Sequence, residues 1–269
     1  MYREFAVAGI GVLWRADADH PGDRAHALPE EHTRRVLIPA DGCTDLVLHR
    51  DELRIAGPST RVIHADAATP GSAASVGIRF QPGTASEFLT HPLTELRNQS
   101  IVADAVIDSR LARKLRLGME QLAAAPADYA HDLGAELFRE LREVRASRRG
   151  MHAFDREHPV DWRACVRRSA ERGLSLPALL SELDTSERQL HRRMASEFGY
   201  GYTALRKVQR SMRARTLLRS GATASDVAAR LGFADQSHLT RDLRSTAGVS
   251  PAALHRRVAP SAEPSAAAR

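Results

Sequence analysis

Residues 176–257 carry one pattern twice, and this repeat constrains the fold more than any other feature of the chain. Leu190 and Gly199 recur as Leu239 and Gly248, each 49 residues further on. Leu183 recurs as Leu231 after 48 residues, so the second turn is one residue longer. Each copy reads as a short apolar-periodic segment, a turn, and an amphipathic segment closed by glycine. That is the layout of a helix-turn-helix unit, and two in tandem imply two surfaces of the same kind on one chain.

In the first copy, Leu179, Leu180 and Leu183 face inward from Leu176–Leu183, and Asp184-Thr185 makes the turn. Ser186 is an N-cap for a helix over Glu187–Phe198. Leu190, Met194 and Phe198 lie at i, i+4 and i+8 and form its buried stripe. Arg188, His191 and Arg192 lie at i, i+3 and i+4, so they share the opposite side. In the second copy, Val227 and Leu231 point inward, and Phe233 plugs the core from the turn Gly232-Phe233-Ala234. A helix over Asp235–Ala247 buries Leu239 and Leu243 and turns Gln236, Ser237, Thr240 and Arg241 the other way. Gly248 ends it, and Pro251 starts a last short helix through Arg257. In a major groove, Arg can give two hydrogen bonds to guanine and Gln can pair with adenine, while a hydroxyl can hold a phosphate.

Between the copies, Tyr202–Ser220 reads as one helix with an inner stripe of Leu205, Val208 and Met212, then Leu217 and Leu218. Arg206, Lys207, Arg210, Arg213, Arg215 and Arg219 make it basic, with no acidic residue. At ~1.5 Å per residue it spans about 28 Å, close to the ~34 Å between successive major grooves on one face of a duplex. Its charge is expected to add phosphate contacts. The wider balance agrees: residues 1–150 carry −2 and residues 151–269 carry +8. Double-stranded DNA is the partner expected of the basic half; an Arg-rich solvated surface is the alternative.

Residues 1–82 read as β-rich, with strands at Ala6–Trp14, Arg35–Ile38, Thr44–Leu48, Leu53–Ala56, Thr60–His64 and Ser75–Phe80, suited to a small sandwich or barrel. Thr84 with Glu87 predicts a capped helix. Leu111, Leu115, Met119 and Leu122, then Leu133, Leu137, Leu141 and Val144, predict a helical hairpin that packs on the sheet or pairs with a second subunit. The fold class expected is α+β. A β-rich N-terminal domain with accessory helices spans 1–146, and a linker spans 147–157. An all-α domain of two helix-turn-helix units spans 158–258, followed by a disordered tail at 259–269.

The apolar run Phe5–Trp14 is too short to cross a membrane and lacks the flanks of a signal peptide. Two cysteines, Cys43 and Cys165, make no disulfide framework, and a reducing cytoplasm is the expected setting. Cys43 reads as a turn-to-strand residue rather than a redox sensor. His49 and His64 are isolated, so no metal site is expected, and Asp41 and Asp45 read as turn caps. No catalytic residue and no cofactor is assigned.

The second copy, DVAARLGFADQSHLTR at residues 226–241 followed by Gly248-Val249-Ser250-Pro251, resembles the AraC/XylS family of bacterial transcription regulators. The first copy does so through SERQLHRR at 186–193. The resemblance covers residues 158–257. It implies a seven-helix DNA-binding domain and promoter control, commonly activation through RNA polymerase. By motif position it implies base contacts from Arg188, His191 and Arg192, and from Gln236, Ser237 and Arg241, with Thr240 nearer the backbone. The chain departs from the family pattern at Gly201-Tyr202 and at Leu243. The N-terminal half is similar to a sensor-like domain through Asp41–Leu46, Gly57–Thr60 and Gly77–Phe80. In the family that region binds a small-molecule effector, forms a homodimer, or both. The expected function is a sequence-specific regulator rather than an enzyme. The alternative is an enzyme with a catalytic N-terminal domain and a DNA-binding appendage, which would need convergent titratable groups in an N-terminal pocket.

Overall fold

The computed structural model describes residues 2–7, 9–16, 28–29, 35–66, 74–126, 130–149 and 161–256. Strands β1 (Tyr2–Val7), β2 (Gly11–Ala16), β3 (Leu28–Pro29), β4 (Arg35–Ile38), β5 (Thr44–His49), β6 (Glu52–Ala56), β7 (Ile63–Asp66), β8 (Ser75–Phe80) and β9 (Ser100–Val102) fill the N-terminal half. They form one antiparallel sheet in the order β1-β2-β8-β5-β6-β9 and a smaller one in the order β3-β4-β7. The predicted strand over Ala6–Trp14 is instead a hairpin. Gly9, at φ 76°, turns the chain between β1 and β2, so a single apolar run pairs with itself.

Alternation along the large sheet separates two faces. Leu13, Leu46, Leu48, Leu53, Ile55, Val76, Ile78 and Phe80 point to one side and are buried there. Across from them lie helices α1 (Leu93–Leu96), α2 (Ser109–Ala124) and α3 (Ala130–Arg149). Leu111, Leu115, Met119 and Leu122 of α2 and Leu137, Phe138 and Leu141 of α3 join the same cluster. The two helical stripes are therefore spent in the core of their own chain. Asp108 caps α2 by accepting from the Arg110 and Leu111 amides. The helix expected after Thr84 is only a 3-10 turn, Ala85–Glu87, without a side-chain cap. Glu87 is drawn instead into ion pairs described below.

The C-terminal half is all-α: α4 (Trp162–Arg172), α5 (Leu176–Glu182), α6 (Glu187–Phe198), α7 (Tyr202–Arg219), α8 (Ala224–Arg230), α9 (Gln236–Ala247) and α10 (Pro251–Arg256). The fold is thus α+β, with a β-rich half and a helical half. The connection between α5 and α6 runs over 183–186, and that between α8 and α9 over 231–235, one residue longer as the repeat implied. Each copy has its own core. Leu179, Leu190, Met194 and Phe198 cluster with Trp162, Val166 and Leu205. Val227, Phe233, Leu239 and Leu243 cluster with Ala214, Leu218 and Leu254. Each fully buried Leu or Phe stabilises by about 1.5–3 kcal/mol. Of the expected linker, residues 147–149 continue α3; the rest of it and the tail at 259–269 lie outside the described residues.

Candidate functional site

The first candidate reader is α6. Ser186 and Gln189 form a reciprocal capping box: the Gln189 amide donates to Ser186 Oγ (3.3 Å), and the Ser186 amide donates to Gln189 Oε1 (3.0 Å). This satisfies amides that a helix start otherwise leaves unpaired. Leu190, Met194 and Phe198 anchor the inner side. Arg188, His191 and Arg192 are all exposed on the outer side. Their neighbour Arg193 turns inward and stacks over Trp162 at 3.9 Å, so of two adjacent arginines only Arg192 faces out.

The second reader, α9, is capped by Asp235, which accepts from the His238 amide at 2.6 Å. Leu239 and Leu243 are fully buried, while Gln236, Ser237 and Arg241 are exposed and Thr240 is half-buried. The Thr240 hydroxyl donates to the Gln236 carbonyl (2.8 Å), and Gln236 Nε2 donates to Ser225 Oγ (2.9 Å). These bonds fix the first turn of α9 against α8.

The connector α7 behaves differently from its sequence expectation. Arg206 donates to the Gly173 carbonyl (3.2 Å). Arg210 bonds Asp242 at 2.8 Å and lies 4.1 Å over the Phe233 ring, and Lys207 also reaches Asp242 at 3.4 Å. Arg215 is only 3% exposed, its Nε and Nη1 without a hydrogen-bond partner. Burial, then the charge of Arg219, push its pKa down to about 10 against the opposing pull of Asp41. Met212, expected inside, is half-buried; Ser211 is buried in the stripe and pairs with Thr246 at 2.5 Å. Much of this basic charge is consumed in bracing the end of α4, the turn at Phe233 and α9. The expected phosphate-binding strip is therefore smaller than six residues, because those guanidinium groups find acceptors and rings inside the domain.

The N-terminal half grips both readers at the same place, their C-caps. Gly199 and Gly248, at φ 77° and 72°, close α6 and α9 in the left-handed conformation that glycine adopts without strain. A Cβ on Gly199 would meet the Leu93 carbonyl oxygen at 2.7 Å, and one on Gly248 would meet Leu37 at 3.0 Å and Val62 at 3.1 Å. Beside them, the Tyr200 hydroxyl donates to the Gly42 carbonyl (2.8 Å). The Ala40 amide donates to the Thr246 carbonyl (2.7 Å), and the Val62 amide to the Ser245 carbonyl (3.1 Å). Burial raises the Tyr200 phenol well above its usual range, with Cys43 and Asp41 adding to it, so the hydroxyl is a fixed donor. An ionic knot completes the junction. Glu87 pairs with Arg145 (2.7 Å) and Arg163 (3.1 Å), and Arg163 also pairs with Glu197 of α6.

Behind this junction, between the two sheets, lies a cavity of about 380 Å³. Its walls include Trp14, Val47, Ile38 and Ile63, with Asp41, Asp45 and Arg79 gathered at one side. Arg79 Nε lies 3.1 Å from Asp45 and 3.4 Å from Asp41. Asp41 Oδ1 accepts from the Cys43 amide (2.9 Å) and from Ser59 Oγ (3.2 Å). The turn role read for Asp41 therefore fits, whereas Asp45 belongs to the cavity. Burial raises the Asp45 carboxyl above its ordinary value while Arg79 opposes the rise. Burial, followed by Asp41, also raises the Cys43 thiol, which disfavours the reactive thiolate. The convergence of Asp41, Asp45 and Arg79 escaped the sequence reading, since β5 and β8 meet only in the sheet. Among the described residues no group of three His, Cys, Asp or Glu is placed to hold a metal ion, and no helix is long and apolar enough to cross a membrane.

Residues 179–257 match the family described as a helix-turn-helix domain. Residues 10–102 match a family described as a domain of unknown function, DUF6597. No curated protein matches the chain. Among solved structures, the chain is similar to the C-terminal domain of AraT, a response regulator from Geobacillus stearothermophilus. The identity is 22%, covering 39% of this chain and 92% of that one, with a TM-score of 0.35. It is also similar to ToxT from Vibrio cholerae O395 bound to (E)-4-(8-methylnaphthalen-1-yl)but-3-enoic acid. There the identity is 12%, covering 96% of this chain and 99% of that one, with a TM-score of 0.39. Unsaturated fatty acid bound wild-type ToxT from Vibrio cholerae strain SCE256 is 14% identical, over 91% and 94% of the two chains, at a TM-score of 0.37.

Proposed function

We propose that this chain, a DNA-binding transcription regulator that joins an AraC-type helix-turn-helix domain to a domain of unknown function, inserts α6 and α9 into adjacent major grooves of one duplex. The observation that carries this reading is the polarity of both helices. Their C-caps are docked, while Arg188, His191 and Arg192 on one and Gln236, Ser237 and Arg241 on the other stand exposed. Arg192 and Arg241 are the guanine readers and Gln236 the adenine reader, with Thr240 positioning the helix start. Two unlike faces on one chain favour an operator of two unlike halves. Activation through RNA polymerase in a bacterial cytoplasm is the mode we assign.

The cavity between the sheets is the effector site in this reading. Its volume falls in the range of small-ligand pockets. The apolar walls suit the body of a small organic molecule, and Asp41 and Asp45 suit a head that donates hydrogen bonds. The carboxylates are engaged by Arg79 and the thiol is held protonated, so the same groups read better as a binding site than as catalytic machinery. The α2 and α3 stripes need no second copy to cover them, so a homodimer would form through another face. We retain 1–146 as the sensing unit and 158–258 as the reading unit.

Replacing Arg192 and Arg241 together by Ala tests the central reading. Specific binding to a duplex selected from random sequence should be abolished while the circular dichroism spectrum is unchanged. Specific binding that survives the double substitution contradicts it. Turnover of any small molecule in the cavity would favour the enzyme alternative.

A further inference from the structure

One short segment touches the cavity and both readers, and it does so in alternation. Ile38, Asp41 and Cys43 line the cavity. Just before them, Leu37 packs in the core of the second copy against Gly248, and between Ile38 and Asp41 the Ala40 amide holds the Thr246 carbonyl of α9. The Gly42 carbonyl accepts the Tyr200 hydroxyl next to the α6 C-cap. The approach at Gly42 is close enough that any Cβ there would run into the Tyr200 hydroxyl. A second wall strand repeats the arrangement on one side: Ile63 faces the cavity, while Val62 holds the Ser245 carbonyl.

We infer that residues 37–43 couple the cavity to the geometry of the two readers, so that what fills the cavity sets the spacing between α6 and α9. This rests on the reading of the cavity as an effector site and of α6 and α9 as inserted readers, and it names how the first would govern the second. The segment has little freedom to move on one side alone. The Ala40 amide and the Gly42 carbonyl are bonded into the helical half and Leu37 packs there, while Ile38, Asp41 and Cys43 wall the cavity, so displacement on one side requires displacement on the other. Asp41 adds an electrostatic link. It is tied to Arg79 and Ser59 in the cavity, and it is the acidic group that acts on the buried Arg215 of α7, the helix that holds both readers. An occupant that draws on Asp41 therefore weakens the compensation of a charge inside the connector.

The test uses a tethered occupant in the full chain. Ala56 lines the cavity beside Asp45, its cross-strand neighbour, and contributes nothing to the docking contacts. Ala56→Trp fills the cavity from β6, and Val47→Phe fills it from β5 should the first variant fail to fold. Wild-type chain first selects its site from random duplex DNA, and the two half-sites are then offered with spacers of varied length. The filled variants are expected to change the preferred spacer, or to change affinity for the wild-type spacing by about tenfold, a common size for coupling between sites. Adding Tyr200→Phe, which removes the donor to Gly42, should reduce that change by at least about half. A folded filled variant with wild-type spacer preference and affinity overturns the inference, as does a change of equal size with Phe at position 200. A wild-type chain that selects no two-part site defeats the underlying reading of paired readers and the inference with it.

Discussion

The two readers share a plan and differ in what holds them. Both α6 and α9 are capped by a polar side chain, buried along one stripe and closed by a left-handed glycine that abuts the N-terminal half. Reader one is held by aromatic packing and buried charge: Phe198 lies edge-on to Trp162 and Tyr200 at 5.7 and 6.2 Å, and the Glu87–Arg163–Glu197 knot stands beside it. Reader two is held by Arg210 and Lys207 on Asp242, a Ser211–Thr246 hydroxyl pair, and aliphatic contact with Leu37 and Val62. The first anchor depends on low-dielectric ion pairs with the N-terminal half. The second is mostly internal to the helical domain. The difference teaches that one repeated unit can be attached rigidly to a neighbour at one copy and through softer apolar and backbone contacts at the other.

That contrast can be broken most severely at Phe198. Phe198→Ala should lose about 3–5 kcal/mol, the usual cost of emptying a buried aromatic site, read by urea denaturation. Because Phe198 also faces Gly83 across the junction, the loss should include docking of the two halves. Next comes the ion pair contrast. Glu87→Gln leaves Arg145 and Arg163 without their shared carboxylate and should cost about 3 kcal/mol. Asp242→Asn, whose partner Lys207 is more than one-third exposed, should cost only about 1–2 kcal/mol. Equal losses in the two variants would erase the distinction between the anchors. The smallest expected effects are at the caps. Ser186→Ala and Asp235→Ala should each cost about 1 kcal/mol, with the reciprocal bond of Gln189 making the former the larger. Thermal melts of the pair would rank them.

The parts of this fold that were legible in the sequence are the ones built from local rules. The stripe Leu190, Met194 and Phe198, the caps Ser186 and Asp235 and the closing glycines follow from helix period and from the chemistry of helix ends. The exposed faces of α6 and α9 follow from the same period. What escaped reading depends on contacts between distant residues. Glu87 looked like the third residue of a capping box, but Arg163, 76 residues away, competes for its carboxylate and wins. The arginines of α7 looked like a phosphate strip, yet Arg210 turns to Asp242 and the Phe233 ring and Arg215 is buried. The Gly42–Tyr200 contact joins residues 158 apart, and no spacing within either half could reveal it.

The central claim is that one chain carries two unlike readers for two unlike half-sites. The direct measurement is selection of bound duplexes from random DNA by the wild-type chain, by Arg192→Ala and by Arg241→Ala. The wild type should select a two-part, non-palindromic site. Each variant should lose base preference in one half only, a different half for each, at about 1–3 kcal/mol per guanine contact removed. A palindromic site, or loss of the same half by both variants, would contradict it.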